Sequence, residues 1–209
     1  LILGAGGHSK VVIEAAIAQN NYEEISLLDD NYKKGNRFTS KKVLDYKIIG
    51  NLKSALAKDI KKRFSHAFVA IGNCEKRLEW IKILQDNGYE IPKLIHPNAF
   101  ISPSATIEKG SIIAVNSTIQ SSSSIKEGVI VNTGATIDHD CEIQKGAHIC
   151  PGVNLAGNVT VGAKSWIGIG SCVIENIKIG KNVLVGAGST VVDNLPDKVK
   201  AYGSPGKYE

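Results

Sequence analysis

From Ile101 onward every sixth residue is a branched aliphatic: Ile101, Ile107, Ile113, Ile119, Ile125, Val131, Ile137, Ile143, Ile149, Leu155, Val161, Ile167, Val173, Ile179, Val185 and Val191. A second track, four residues after each of these, is small or β-branched almost throughout: Ala105, Ser111, Ser117, Ser123, Val129, Ala135, Cys141, Ala147 and on to Ser189. Neither the 3.6-residue helical period nor strand alternation produces a strict six. A six-residue unit with one large and one small inward position suits a short strand plus a turn. Three such units close a triangular coil, and coils stack at roughly 4.8 Å. The repeat therefore predicts an all-β parallel β-helix of about five coils. The period alone does not fix its hand. A rigid spacer would explain the repeat, but not the polar interruptions within it.

Residues before about Pro97 carry no sixfold signal and read instead as β-α-β. Leu1–Leu3 is followed by a glycine turn, a helical stretch from His8 to Gln19, and a strand over Ile25–Leu28 that ends in Asp29-Asp30. A further strand, Ala67–Ile71, ends in Gly72-Asn73 and leads into a helix reaching about Asn87. Apolar strands alternating with helices predict an α/β, Rossmann-like parallel sheet. Ligands of such sheets lie at the carboxyl ends of the strands. Three features converge there: Gly4-Ala5-Gly6-Gly7-His8, Asp29-Asp30 and Gly72-Asn73. The first is a broken G-x-G-x-x-G fingerprint, with Ser9 in the third glycine position. Glycines let backbone approach a phosphate at a helix N-terminus. Fewer than 100 residues leave room for only half of a full dinucleotide fold. The expected domains are thus 1–97, Rossmann-like, and 98–209, the β-helix with its C-terminal tail.

The net charge of +5 is scattered, apart from Lys58, Lys61, Lys62 and Arg63, which read as a solvated helix face and not a nucleic-acid site. No apolar run approaches the roughly 18 residues needed to cross a bilayer, so no membrane insertion is expected. The sequence opens inside an apolar run, which leaves a preceding segment open. Cys74, Cys141, Cys150 and Cys172 form no CxxC pair and read as free thiols of a reducing, cytoplasmic compartment.

Chemistry points to Asp138-His139-Asp140, where the only histidine flanked on both sides by carboxylates follows inward Ile137 by two residues. A carboxylate that fixes the tautomer and stabilises the imidazolium makes histidine a general base near neutral pH. A polar surface turn is the plainer alternative. His148 lies nine residues on, half a coil away. A zinc site on such a helix needs three converging histidines, whereas this one offers only His139 and His148, plus His96 at its entrance, with no close His spacing, so no metal is expected. A non-catalytic nucleotide-sugar-binding module is the other alternative.

The stretch Asn132-Thr133-Gly134-Ala135-Thr136-Ile137-Asp138-His139-Asp140-Cys141, then Ala147-His148-Ile149 and Ala156-Gly157-Asn158-Val159, resembles the bacterial sialic acid O-acetyltransferase and UDP-4-amino-sugar N-acetyltransferase family of hexapeptide-repeat proteins. Gly4-Ala5-Gly6-Gly7-His8, Ala70-Ile71-Gly72-Asn73 and Gly203-Ser204-Pro205-Gly206-Lys207 match the same family, in order along essentially the whole chain. The resemblance implies a left-handed β-helix, a homotrimer with sites between subunits, and acetyl-CoA as acyl donor. It implies that His139 deprotonates the acceptor, oriented by Asp140, and that Asn132 lines the same cleft. His148 would contact the acetyl thioester, and the Gly157 N–H would receive the developing oxyanion. Ile169, Ala187, Pro205 and Lys207 would lie along coenzyme A. Gly7, His8, Asp29, Asp30 and Asn73 would hold a uridine nucleotide-sugar. The expected reaction is N-acetylation of a UDP-linked 4-amino-4,6-dideoxy sugar for bacterial surface glycan biosynthesis, with O-acetylation of sialic acid or a related sugar as the alternative. Cys141 falls on the small inward track and is read as core.

Overall fold

In a computed structural model, residues 1–33 and 42–209 are described. The chain divides into two compact units, Leu1–Pro92 and Lys93–Glu209.

The first unit runs β1 (Ile2–Leu3), α1 (Gly7–Gln19), β2 (Leu27–Leu28), β3 (Lys42–Val43), β4 (Tyr46–Gly50), α2 (Lys58–Arg63), β5 (Phe68–Val69) and α3 (Cys74–Asp86). β1 pairs in parallel with both β2 and β5, β2 pairs in parallel with β4, and β3 is an antiparallel edge. The parallel strands therefore stand in the order third, second, first, fourth, as in half of a dinucleotide-binding fold, with the switch point between β1 and β5. Gly4 follows β1 at φ 102°, and a Cβ there would stand 3.0 Å from the Ala70 carbonyl oxygen. Only glycine lets the two strand ends approach this closely. Ser9, in the third glycine position, is buried and its hydroxyl donates to the Gly6 carbonyl at 2.7 Å. Leu3, Leu28, Val69, Ile81 and Leu84 build the core of this unit. The basic residues of α2 are exposed, as a solvated helix face requires.

The second unit is a parallel β-helix of two-residue strands on three faces. The first face carries Leu94–Ile95, Ile112–Ile113, Ile130–Val131, His148–Ile149, Trp166–Ile167 and Leu184–Val185. The second runs from Phe100–Ile101 through Thr136–Ile137 to Thr190–Val191, and the third from Thr106–Ile107 to Lys178–Ile179. Strands pair with those eighteen residues on, so Ile119 sits on Ile137 and Ile137 on Leu155. In each pair of residues the second points inward. From Ile113 to Val191 every member of the sixfold track is buried, while Ile101 and Ile107 in the opening coil are partly so. Buried serines on the small track bond to backbone: Ser111 Oγ donates to the Lys126 carbonyl at 2.8 Å and Ser171 Oγ to that of Gly186 at 2.9 Å. Hydroxyls so satisfied carry little burial cost. Turns repeat as strictly as strands. Asn116, Ser122, Gly128, Gly134, Asp140, Gly146, Gly152 and Asn158, six apart, all have φ between 57° and 69°.

The β-helical unit begins five residues before the boundary expected at 97/98. Leu94–Ile95 already pairs with Ile112–Ile113. Ile95 is one sixfold step before Ile101, masked in the sequence by the His96-Pro97 pair beside it. A hairpin of Lys200–Tyr202 with Lys207–Tyr208 extends the first face at the far end.

Candidate active site

At the switch point of the first unit, a cleft of about 380 Å³ is lined by Gly4, Gly6, Gly7, His8, Asp29, Asp30, Asn31, Leu52, Ala70, Ile71, Gly72 and Lys76. The N-terminus of α1 opens into it, which favours an anion. Asp29 braces the loops that shape the cleft: Oδ2 accepts from the Ala5 N–H and Oδ1 from the Asn31 N–H, both at 2.8 Å. Asp30 Oδ1 accepts from the Leu52 N–H at 3.1 Å, and its Oδ2 lies 3.7 Å from the Lys76 ammonium. Asn73 is exposed and caps α3, accepting from the Lys76 N–H at 2.9 Å; its neighbours Gly72 and Lys76 line the cleft. Burial, and after it the positive charge of Arg77, lower the His8 pKa to about 4, so that its ring is neutral at pH 7. Arg77 is 1% exposed and donates through Nη1 to the carbonyls of Ile71 and Gly72 at 2.9 and 2.8 Å. Sequence reading missed Lys76 and Arg77. Their offsets from Asn73, three and four residues into a helix that starts at the cleft, are the signal that could have found them.

In the β-helix, His139 occupies the corner between the second and third faces. Its Nδ1 lies 2.8 Å from Asp140 Oδ2, and its backbone N–H donates to Asp138 Oδ1 at 2.7 Å. The Asp140 contact assigns the ring proton to Nδ1 and leaves the Nε2 lone pair available. That hydrogen bond chiefly, then the charges of Asp138 and Asp140, raise the His139 pKa above its ordinary value. Both side chains are more than half exposed, so the pair orients the ring and adds little to stability. Asp140 holds a left-handed turn, φ 57°, which Asp tolerates better than most residues. One coil on, Gly157 lies beneath the ring. A Cβ there would stand 2.5 Å from His139 Cε1 and 2.6 Å from Nε2.

The remaining expected residues gather at the corner between the first and second faces. Asn132 Nδ2 is 3.4 Å from Nε2 of His148, which is 6% exposed on the first face. Trp166, the in-register neighbour of His148 on the next strand, packs its ring at a 4.0 Å centroid distance, tilted 56°. Trp166 was also missed, although it lies one full coil, eighteen residues, after His148. Ile169, 56% exposed, and exposed Ala187 continue the same corner, with the Ile169 carbonyl accepting from Gly188 N–H at 2.8 Å. Pro205 and Lys207 lie in the terminal hairpin, pinned by the Gly206 N–H bonding to the Thr190 carbonyl at 2.6 Å. One chain thus brings together His139, Asp140 and Gly157 at one corner. It brings Asn132, His148, Ile169, Ala187 and the tail toward another. Within one chain Asn132 stands a whole prism edge from His139, beside His148. Cys141 is buried core, and among the described residues no group of three His, Cys, Asp or Glu is placed to hold a metal.

Residues 1–84 match the family model described as PglD N-terminal domain. The chain is 39% identical to the acetyltransferase domain of PglB from Neisseria gonorrhoeae over 99% of this chain and 97% of that one, TM-score 0.91. The same domain in complex with acetyl coenzyme A matches at 38% identity, 99% and 96% coverage and a TM-score of 0.89. A mutant of GDP-perosamine N-acetyl transferase from Caulobacter crescentus, in complex with CoA and GDP-perosamine, matches at 35% identity over 100% of this chain and 95% of that one, TM-score 0.92. The β-helix is of the left-handed kind and follows a Rossmann-like domain in the chain. With this identity over nearly its full length, the chain belongs to the bacterial sugar acyltransferase family.

Proposed function

We propose that the protein transfers the acetyl group of acetyl-CoA to the amine of a nucleoside-diphosphate-linked 4-amino-4,6-dideoxy sugar. The observation that carries this reading is His139, its Nδ1 held by Asp140 and its Nε2 facing Gly157, in a chain so similar to sugar N-acetyltransferases. The switch-point cleft of the first unit holds the nucleotide and diphosphate against the α1 N-terminus. His139 Nε2 takes the proton that the acceptor nitrogen must lose as it attacks, and the imidazolium so formed is stabilised by Asp140 and Asp138. The Gly157 N–H donates to the negative charge that develops on the acyl oxygen. No acyl-enzyme forms, because the acceptor attacks directly.

His139 and the His148–Asn132 corner are separated by a prism edge within one chain. The reading therefore calls for a homotrimer in which the base of one subunit faces the acetyl-CoA corner of its neighbour. His148, Ile169, Ala187, Pro205 and Lys207 would lie along the coenzyme. Acetyl-CoA supply puts the reaction in the cytoplasm. The uridine form of the sugar follows from the sequence resemblance, whereas the Caulobacter relative was solved with a guanosine one. A panel of UDP- and GDP-linked 4-amino sugars, with free and CMP-linked sialic acid, tests the proposal by thiol release from acetyl-CoA. Turnover of an amino sugar and not of sialic acid is expected. Turnover of sialic acid alone would replace N- by O-acetylation, and no turnover of any would remove the sugar reading.

A further inference from the structure

Arg77 is an unusual residue to find fully buried. A guanidinium withdrawn from water costs several kcal/mol unless its surroundings answer the charge. It lies in the first turn of α3, behind the wall of the switch-point cleft, and its Nη1 is fixed on the carbonyl oxygens of Ile71 and Gly72, both cleft-lining residues. The charges that reach the cleft do not by themselves suit a diphosphate. Asp29 and Asp30 contribute two negative charges, Lys76 contributes one positive charge that lies near Asp30, and His8 is neutral. A dianion entering there meets the positive ends of α1 and α3, and behind them Arg77, among the described residues the one buried cation beside the cleft.

We infer that Arg77 is the electrostatic positioning residue of this cleft: it supplies the buried positive charge that accommodates a diphosphate and holds the Ile71–Gly72 carbonyls turned away from it. The inference rests on the nucleotide-sugar reading for the identity of the ligand, but not for the presence of the charge. At the effective dielectric of a partly buried site, a unit charge within several ångströms of a phosphate alters affinity by roughly ten-fold or more. A charge acts on charged ligands selectively. A loop brace that carried no electrostatic role would weaken nucleoside and nucleoside diphosphate alike.

The test uses the full chain with Arg77→Met, which keeps much of the side-chain volume, and Arg77→Lys, which keeps the charge but not the fork on two carbonyls. UDP, GDP, UMP and GMP are titrated calorimetrically, and the His8 ring is titrated by NMR in the ligand-free protein. Arg77→Met should lose roughly ten-fold or more in affinity for the preferred diphosphate, with a smaller loss for its monophosphate, and its His8 pKa should rise. Arg77→Lys should recover most of the diphosphate-to-monophosphate ratio and the low His8 pKa. Equal losses for both nucleotides with an unmoved His8 would overturn the inference. If the wild-type protein bound none of these nucleotides, the nucleotide-sugar reading would fall, and the inference would fall with it only if His8 also titrated unchanged in Arg77→Met. Should Arg77→Met not fold, a diphosphate-to-monophosphate ratio lowered roughly ten-fold in Arg77→Lys, with a raised His8 pKa, would overturn the inference that the positive charge serves the diphosphate.

Discussion

Replacing Gly157 with alanine isolates the position of the His139 ring from everything else at the site. The added methyl would meet ring atoms at 2.5 and 2.6 Å, where ordinary carbon contacts lie near 3.5 Å or beyond. The ring must therefore retreat by about 1 Å, and the 2.8 Å bond to Asp140 cannot survive in the same geometry. Gly157 is not among the residues at positive φ, so alanine's backbone fits, and its N–H remains to serve the oxyanion. The His139 side chain is 58% exposed and can swing toward solvent without opening the core. Stability should hold within about 0.5 kcal/mol, a shift of a few degrees in Tm at most. Displacing a reacting group by this distance costs on the order of 10²-fold in kcat. Thiol-release kinetics read the rate, and a thermal melt reads the fold. In the His139→Ala background the same substitution should cost nothing further, because the ring it strikes is gone. Activity within two-fold of wild type at unchanged Tm would refute the reasoning, since the ring would then tolerate a displacement that a base cannot. A collapse of Tm would show that the methyl meets rigid backbone instead.

Four other outcomes follow from the geometry. His139→Ala should lower kcat by roughly 10²–10⁴ with acceptor affinity nearly unchanged in calorimetry. In Asp140→Asn the acid limb of kcat/KM should move to lower pH, because the bond that raises the His139 pKa is weakened; a limb that stays in place would assign that pKa elsewhere. Ile143→Asp should abolish the folded β-helix in circular dichroism, because the side chain is 0% exposed and its charge could not reach water. His8 has a folded pKa near 4 against about 6.5 unfolded, so the unfolded chain binds the extra proton. Its contribution is intact above pH 6.5 and is lost as pH falls toward 4, by up to about 3 kcal/mol, and denaturant melts of His8→Asn should lack that part of the acid slope.

The β-helix was legible because its geometry is written in one period. An inward position recurs every six residues, so the core could be read from Ile113 to Val191 without any long-range knowledge. What lay across the coils was harder. His148 and Trp166 touch because eighteen residues make one turn of the prism, a period visible only once the six-residue unit is known to close in threes. The same counting puts Asn132 and His139, in successive hexapeptides, at successive corners of one chain. In the first unit, the glycine turn and the acidic pair located the cleft correctly, since topology alone carries them to the strand ends. Their individual duties were not legible. Asp29 bonds to the backbone of Ala5, twenty-four residues earlier, and Arg77 turns back onto the Ile71 and Gly72 carbonyls, six and five residues earlier, with a burial that its charge does not announce.

The strict stacking of the coils makes the β-helix a graduated ruler. Its marks stand one strand spacing, about 4.8 Å, apart, and eighteen residues advance a side chain by one mark along its corner. Ile169 to Ala187, or His139 to Gly157, are separations counted in whole marks, and no point substitution can adjust them by a fraction. Only inserting or deleting a complete coil would change the reach along the corner that carries His148, Ile169 and Ala187. Lengthening or shortening such a surface therefore comes in whole steps of about 4.8 Å.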